Sequence, residues 1–219
     1  MRENGKKLLI LGMGLVCAFI MWTVMILLID VKPLGQGGTN IGFTTFNIWF
    51  HTMTGVHMSI YTITDWLGLV PIFVCMFFAG IGFIQLIQRR NLFKVDHDII
   101  MLGVYYVVVI AGFLFFEMVP VNYRPILIEG VMEASYPSST TLLVLSVMPT
   151  LVFQANRRLR TEIYKKIIAS CTLLFSGFMV IGRLIAGVHW FTDIVGGILL
   201  SAGLFYIYKA CVVLGSKDI

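Results

Sequence analysis

The run IIMLGVYYVVVIAGFLFFEMV, Ile99–Val119, holds 21 residues and one charged side chain, Glu117. A helix rises about 1.5 Å per residue, so this run reaches across the roughly 30 Å hydrocarbon layer of a bilayer. Working outward, five further apolar runs have the same character: Leu8–Ile29, Trp66–Gln88, Ser138–Gln154, Ile163–Ile185 and Phe191–Leu214. Backbone groups in lipid must bond to one another, so each run is expected to be a helix. The expected fold class is an all-α integral membrane protein, a six-transmembrane-helix bundle with an extracytoplasmic active-site pocket. Six spans use roughly 120 to 130 residues. A single membrane domain over residues 1–219 is therefore the expected organisation, with short connections.

Composition agrees: 58% of residues are hydrophobic and 12% charged, more apolar surface than a water-soluble chain of this size can hide. The formal charge of +5 excludes little by itself, but its placement does. Arg2, Lys6, Lys7, Arg89, Arg90, Lys94, Arg157, Arg158, Arg160, Lys165, Lys166, Lys209 and Lys217 all fall on one side of a six-span topology, thirteen of the 16 basic residues. That bias marks cytoplasmic loops and puts both termini inside. It is a topology signal, not a nucleic-acid footprint, so no nucleic-acid partner is expected. The apolar run after Met1–Lys7 is too long for a signal peptide and lacks a small-residue cleavage site, so it reads as an uncleaved first span.

Cys17, Cys75, Cys171 and Cys211 lie inside apolar runs, unpaired in spacing, and read as small core hydrophobes. The first outer loop, Asp30 to Asp65, is long enough to hold structure of its own. A short amphipathic helix lying in the interface is expected over Thr45–His57. His51 and His57 stand six residues apart, about 240° of helical rotation, so they are expected to pack at the interface rather than share a metal.

Lys32, Arg124 and Arg183 oppose the basic bias, alongside Asp30, Asp65, Glu117, Glu129, Glu133 and Asp193 on the same face. Cations placed there suggest anion binding. The fifth span ends in Gly182-Arg183-Leu-Ile-Ala-Gly-Val-His189-Trp-Phe-Thr-Asp193, an R-x5-H-x3-D spacing. Asp193 at the start of the sixth helix is placed to accept the proton of one His189 ring nitrogen, leaving the other free to attack. The plainer reading is that His189 and Asp193 cap the helix and Arg183 snorkels to the interface. Tyr123-Arg124-Pro125 follows the third span, and Tyr136-Pro137-Ser138-Ser139-Thr140 opens the fourth. Hydroxyls and free N–H groups at a helix start suit an anion, or serve as an ordinary cap.

In order and placement these segments resemble the type 2 phosphatidic acid phosphatase family of lipid phosphate phosphatases, over about Ile99–Leu214. That family has K-x6-R-P, then P-S-G-H, then S-R-x5-H-x3-D. The matched anchors are Arg124, Pro125, Pro137, Ser138, Arg183, His189 and Asp193. The resemblance implies that His189 attacks phosphorus to form a phosphohistidine, that Asp193 orients it, and that Arg124, Arg183 and Ser138, with the neighbouring Ser139 and Thr140, hold the phosphate. Guanidinium groups supply the positive charge, so no metal or other cofactor is implied. Four positions depart from the pattern. Glu117 stands for Lys, Ser139 for Gly, Thr140 for His and Gly182 for Ser.

The missing histidine is the family's proton donor to the leaving group, a role threonine cannot fill at neutral pH. Glu117 either pairs with Arg124 or sits protonated as a substitute acid. A leaving group that needs little protonation relaxes the demand, so a polyprenyl diphosphate fits better than a monophosphate ester. The expected function is a lipid phosphate phosphatase acting at the outer leaflet of a bacterial plasma membrane on a membrane lipid. The alternatives are a lipid head-group phosphotransferase and a non-catalytic lipid-phosphate binder; intact His189 and Asp193 argue against the binder.

Overall fold

The computed structural model describes residues 2–215 of the chain, so the expected cytoplasmic Lys217 lies outside the described residues. The helices are α1 (Arg2–Leu28), α2 (Thr44–Thr54), α3 (Met58–Leu67), α4 (Leu69–Arg89), α5 (His97–Met118), α6 (Ser139–Arg158), α7 (Glu162–Ile185) and α8 (Phe191–Gly215). Among the described residues six helical stretches are long and apolar enough to cross a membrane, with α3 and α4 together forming the second. The short helix expected over Thr45–His57 is α2, ending three residues earlier at Thr54, where Gly55 closes it with a positive φ of 69°.

The second span begins at Met58 rather than Trp66 and is interrupted at Gly68, with Pro71 just beyond. Thr62, Thr64 and Asp65 had made this stretch read as loop. Thr62 and Thr64 instead return their hydroxyls to the carbonyls of Met58 and Ile60, which lets polar side chains sit in an apolar helix. Asp65 therefore stands inside a span.

Burial grades the helices. In the most apolar stretch of α6, 56% of residues are buried, and in α8 39%, against 17% in α1 and 11% in α3–α4. Helix α8 is the central post, packed on α1, α5 and α6, while α3 lies on α7 and α4 on α6. The α1–α8 contact is close because Gly12 and Gly203 face it. A Cβ on Gly12 would stand 2.8 Å from the Ile207 nitrogen, and one on Gly203 3.0 Å from the Val16 nitrogen. Small residues at such a seam let backbones approach, which is how helices associate where lipid offers no hydrophobic drive. Helix α6 is the least apolar span because it faces other helices: Thr141, Ser146, Thr150 and Gln154 are all buried in it.

The cysteines do not occupy the core. Cys17, Cys171 and Cys211 are exposed on the bundle's apolar surface and Cys75 is half-buried; in a bilayer, the lipid side accepts a small thiol as readily as the core does.

The end of the bundle that holds the basic loops is clamped by an ionic network. Arg158 meets Asp96 at 3.2 Å and Asp98 at 2.8 Å, and Arg89 meets Asp96 at 2.7 Å. Gln154 accepts from Arg158 and donates to Tyr208. The α4–α5 turn is thereby tied to α6 and α8. Several hydrogen bonds to Asp96, led by those of Arg89 and Gln85, hold its carboxyl below the usual carboxylate range against the opposing effect of burial.

Candidate active site

The opposite end is built by the segment 119–138 and the α7–α8 turn. Tyr123 pairs with Ala134 and Ile128 with Val131, so this segment folds back on itself as a narrow ribbon. Its rungs, Arg124 N–H to Glu133 C=O and Ser135 N–H to Asn122 C=O, set Asn122, Arg124 and Ser135 side by side. The ribbon then runs into α6, and the Ser138 N–H donates to the Asp193 carbonyl at 3.1 Å. The starts of α6 and α8 are thus joined.

His189 lies in the turn between α7 and α8, 3% exposed. Its Nδ1 is 3.1 Å from the Ser135 carbonyl oxygen. A carbonyl only accepts, so Nδ1 bears the proton and Nε2 bears the lone pair. Nε2 is buried without a hydrogen-bond partner among the described residues. Burial, reinforced by the charges of Arg124 and Arg183, pushes the imidazole down to about 4 from its usual 6.5, although Asp193 opposes the shift. The ring is therefore a neutral base with an unoccupied nucleophilic nitrogen.

Asp193 does not fix the tautomer as expected. Its Oδ2 is 3.9 Å from His189 Nδ1, beyond hydrogen-bond reach, and accepts the Trp190 N–H at 2.9 Å. Its Oδ1 accepts from Asn122 Nδ2 at 3.1 Å. With Trp190 as the residue before α8, an acid three positions on reaches back to its N–H, the reciprocal half of a capping box. The capping reading thus holds for Asp193, while at 3.9 Å its charge still lies next to the ring.

The two arginines lie within electrostatic reach of the imidazole. Arg183, 1% exposed, lies with its guanidinium 4.9 Å from the Tyr61 ring centroid, 3.4 Å from Thr64 Oγ1 and 3.5 Å from Asp65 Oδ1. Arg124 Nε is 2.9 Å from Glu133 Oε2. Arg124 Nη1, Arg183 Nε and the hydroxyls of Ser135 and Ser138 are buried without a hydrogen-bond partner among the described residues. Ser138 is the residue before α6, yet its side chain does not cap the helix, so its hydroxyl is spare. This density of unsatisfied donors is costly unless a ligand accepts from them.

Glu117 is exposed in the last turn of α5. Arg124 and Glu133 lie within its electrostatic reach, but Arg124 pairs with Glu133, and no ion pair of Glu117 is found among the described residues. Of the two alternatives for Glu117, the pair with Arg124 is not formed, because the ribbon rung already holds Glu133 beside Arg124. Gly182, where the resemblance expects serine, has a local cause: a Cβ there would stand 2.7 Å from Thr64 Cγ2.

Ser139 and Thr140 line a groove of about 240 Å³ between α4, α5 and α6. Asp65 closes its polar end, and Leu69, Ile72, Val109, Phe113 and Leu143 line the rest. Thr140 is 9% exposed there. His51 donates its Nε2–H to the Gly187 carbonyl, 3.0 Å away, and packs against Trp190, so it supports the turn that holds His189. No group of three or more His, Cys, Asp or Glu among the described residues is arranged to hold a metal ion. Sequence reasoning missed Tyr61, Asn122 and the Ser135 carbonyl, and placed Glu133 on this face without assigning it a partner. Asn122 and Ser135 lie beside the motif segments, whereas nothing in the sequence pointed to Tyr61.

The chain is a six-helix membrane bundle with a buried, neutral histidine within electrostatic reach of two arginines at one end. The PAP2 superfamily model matches residues 99–215, and the chain belongs to that superfamily. Its fold is similar to the crystal structure of a transmembrane PAP2-type phosphatidylglycerolphosphate phosphatase from Bacillus subtilis, with a TM-score of 0.63 and 17% identity over 90% of this chain and 94% of that one. No curated protein sequence matches the chain significantly.

Proposed function

We propose that this chain is a phosphatase that hydrolyses a lipid phosphate or diphosphate, best a polyprenyl diphosphate, at the outer leaflet through a phosphohistidine on His189. The observation that supports it is the set of buried, unpartnered donors on Arg124, Arg183 and Ser138 grouped with the bare Nε2 of a neutral His189. An anion with several oxygens satisfies those donors, and phosphorus is then brought to the nucleophile. The apolar groove next to it opens between helices, which suits a substrate that stays in the membrane.

In this reading His189 Nε2 attacks phosphorus, and the ring becomes a cation whose Nδ1–H is held by Ser135 C=O. Asp193, 3.9 Å away, stabilises that cation at short range. Arg124 and Arg183 hold the equatorial oxygens as charge builds on them. Thr140 leaves the leaving group without a strong acid, so expulsion of a lipid monophosphate from a diphosphate is favoured over expulsion of an alkoxide. The outer location rests on the basic loops lying at the other end of the bundle.

The test is phosphate release by purified protein in detergent from matched lipid monophosphates and diphosphates, against His189→Ala. Release confined to the wild type and greater on the diphosphate is expected. Equal release by His189→Ala rejects the nucleophile, and transfer of the phosphoryl group to an added alcohol in place of water rejects hydrolysis.

A further inference from the structure

We infer that Asp65 takes the proton from the water that hydrolyses the phosphohistidine, an inference that rests on the phosphatase reading above. In-line displacement places nucleophile and leaving group on opposite sides of phosphorus. Once the lipid portion has left, water enters through the vacated position, so the group that activates it must stand on the leaving-group side. The apolar groove marks that side, because a lipid leaving group lies along it. Among the described residues, Asp65 is the one carboxylate lining the groove, together with Ser139 and Thr140.

Its setting suits the role. Asp65 stands in the eighth position of the second span, where a carboxylate is expensive and functional by default. One oxygen, Oδ1, faces the cradle arginine Arg183 at 3.5 Å, a loose pair, while the side chain keeps 58% exposure. The carboxylate is thus positioned by the cradle yet not covered by protein. The other acids at this end are either committed or away from the groove, Glu129 among the latter. Glu133 pairs with Arg124 at 2.9 Å, Asp193 is fully buried under two donors, Asp30 is bound by the Thr45 N–H and Lys32, and Glu117 does not line the groove.

The step balances. In the first half, the Nε2 electron pair forms the P–N bond and the P–O bond to the lipid phosphate breaks, its electrons leaving with that oxygen. In the second, the water oxygen bonds to phosphorus, its proton passes to an Asp65 oxygen, and the P–N electrons return to Nε2. Inorganic phosphate leaves. Thr140 beside Asp65 offers neither charge nor a competing proton.

The experiment follows rapid mixing of wild type and Asp65→Asn with a lipid diphosphate labelled at the terminal phosphate. Asp65→Asn should give a burst of lipid monophosphate near one per enzyme, phosphate release slowed about 100-fold, and accumulation of an acid-labile, base-stable phosphoenzyme. Asp65→Glu should recover most of the rate, and formate should accelerate release by Asp65→Ala, which also decides the case should Asp65→Asn fail to fold. A change confined to KM, an equal loss in burst and steady state, or no response to formate assigns Asp65 to charge balance with Arg183 and overturns the role. If the wild type shows neither burst nor phosphate release, the phosphatase reading itself falls; turnover by the wild type with any of the contrary Asp65 results leaves that reading standing.

Discussion

Acidification should weaken this fold through His189 in particular. The buried imidazole is held down to about 4, whereas an unfolded chain protonates it near 6.5. Between those values the unfolded state binds a proton that the folded state refuses, so stability falls as pH falls. Each pH unit in the window costs about 1.4 kcal/mol, giving about 2 kcal/mol by pH 5 and about 3 kcal/mol by pH 4. His189→Gln removes the titration but shares every other acid and base, so the difference between wild type and variant isolates the effect. Unfolding free energies in mixed detergent micelles from pH 7.5 to 4.5 should show the wild type losing about 2 kcal/mol relative to His189→Gln by pH 5. The same position puts the acid limb of kcat/KM near pH 4 to 5, well below that of an exposed histidine. Parallel stability curves for the two proteins, or an acid limb at 6.5, would refute the burial argument.

Gly187→Ala should lower stability by more than about 2 kcal/mol and activity with it, because Gly187 has a φ of 71° and a Cβ there would stand 2.1 Å from the Gly55 carbonyl; thermal melting checks it. Asn122→Ala should cost about 2 to 3 kcal/mol, since it strips a donor from the buried Asp193 carboxylate, and an equal loss of melting temperature in the near-isosteric Asn122→Leu assigns the cost to bonding rather than volume. Thr140→His should raise turnover of a monophosphate ester at least about tenfold while moving the diphosphate rate less than about threefold; equal gains would remove the leaving-group argument. Glu117→Gln should change either rate by less than about threefold, and loss of monoester turnover alone would restore Glu117 as the acid. In a cysteine-free background, Glu129→Cys should react with an impermeant thiol reagent from outside and Arg160→Cys should not.

Span number and helix type were legible along the chain because they depend on local apolar length, and lipid leaves the backbone no alternative to helix. The motif anchors Arg124, Ser138, Arg183 and His189 were legible for a related reason: polar and charged groups at the ends of apolar runs stand out against their surroundings. The short helix after the first span was signalled by the length of the loop that holds it. Where the second span starts did not, because threonines that bond back to their own helix look polar in sequence and are apolar in effect. Partner choice was equally hidden. His189 donates its Nδ1–H to the Ser135 carbonyl, Asp193 accepts the Trp190 N–H at the start of α8, and Arg124 takes Glu133, each decided by how the 119–138 ribbon folds back onto the α7–α8 turn. Backbone carbonyls carry no side-chain identity, so no residue letter could announce the Ser135 contact. Asp65 is the clearest division. The chain shows an acid at the edge of an apolar run, and only the packing of α3 on α7 and of α4 on α6 sets it between a buried arginine and a groove, since that meeting joins residues far apart in sequence.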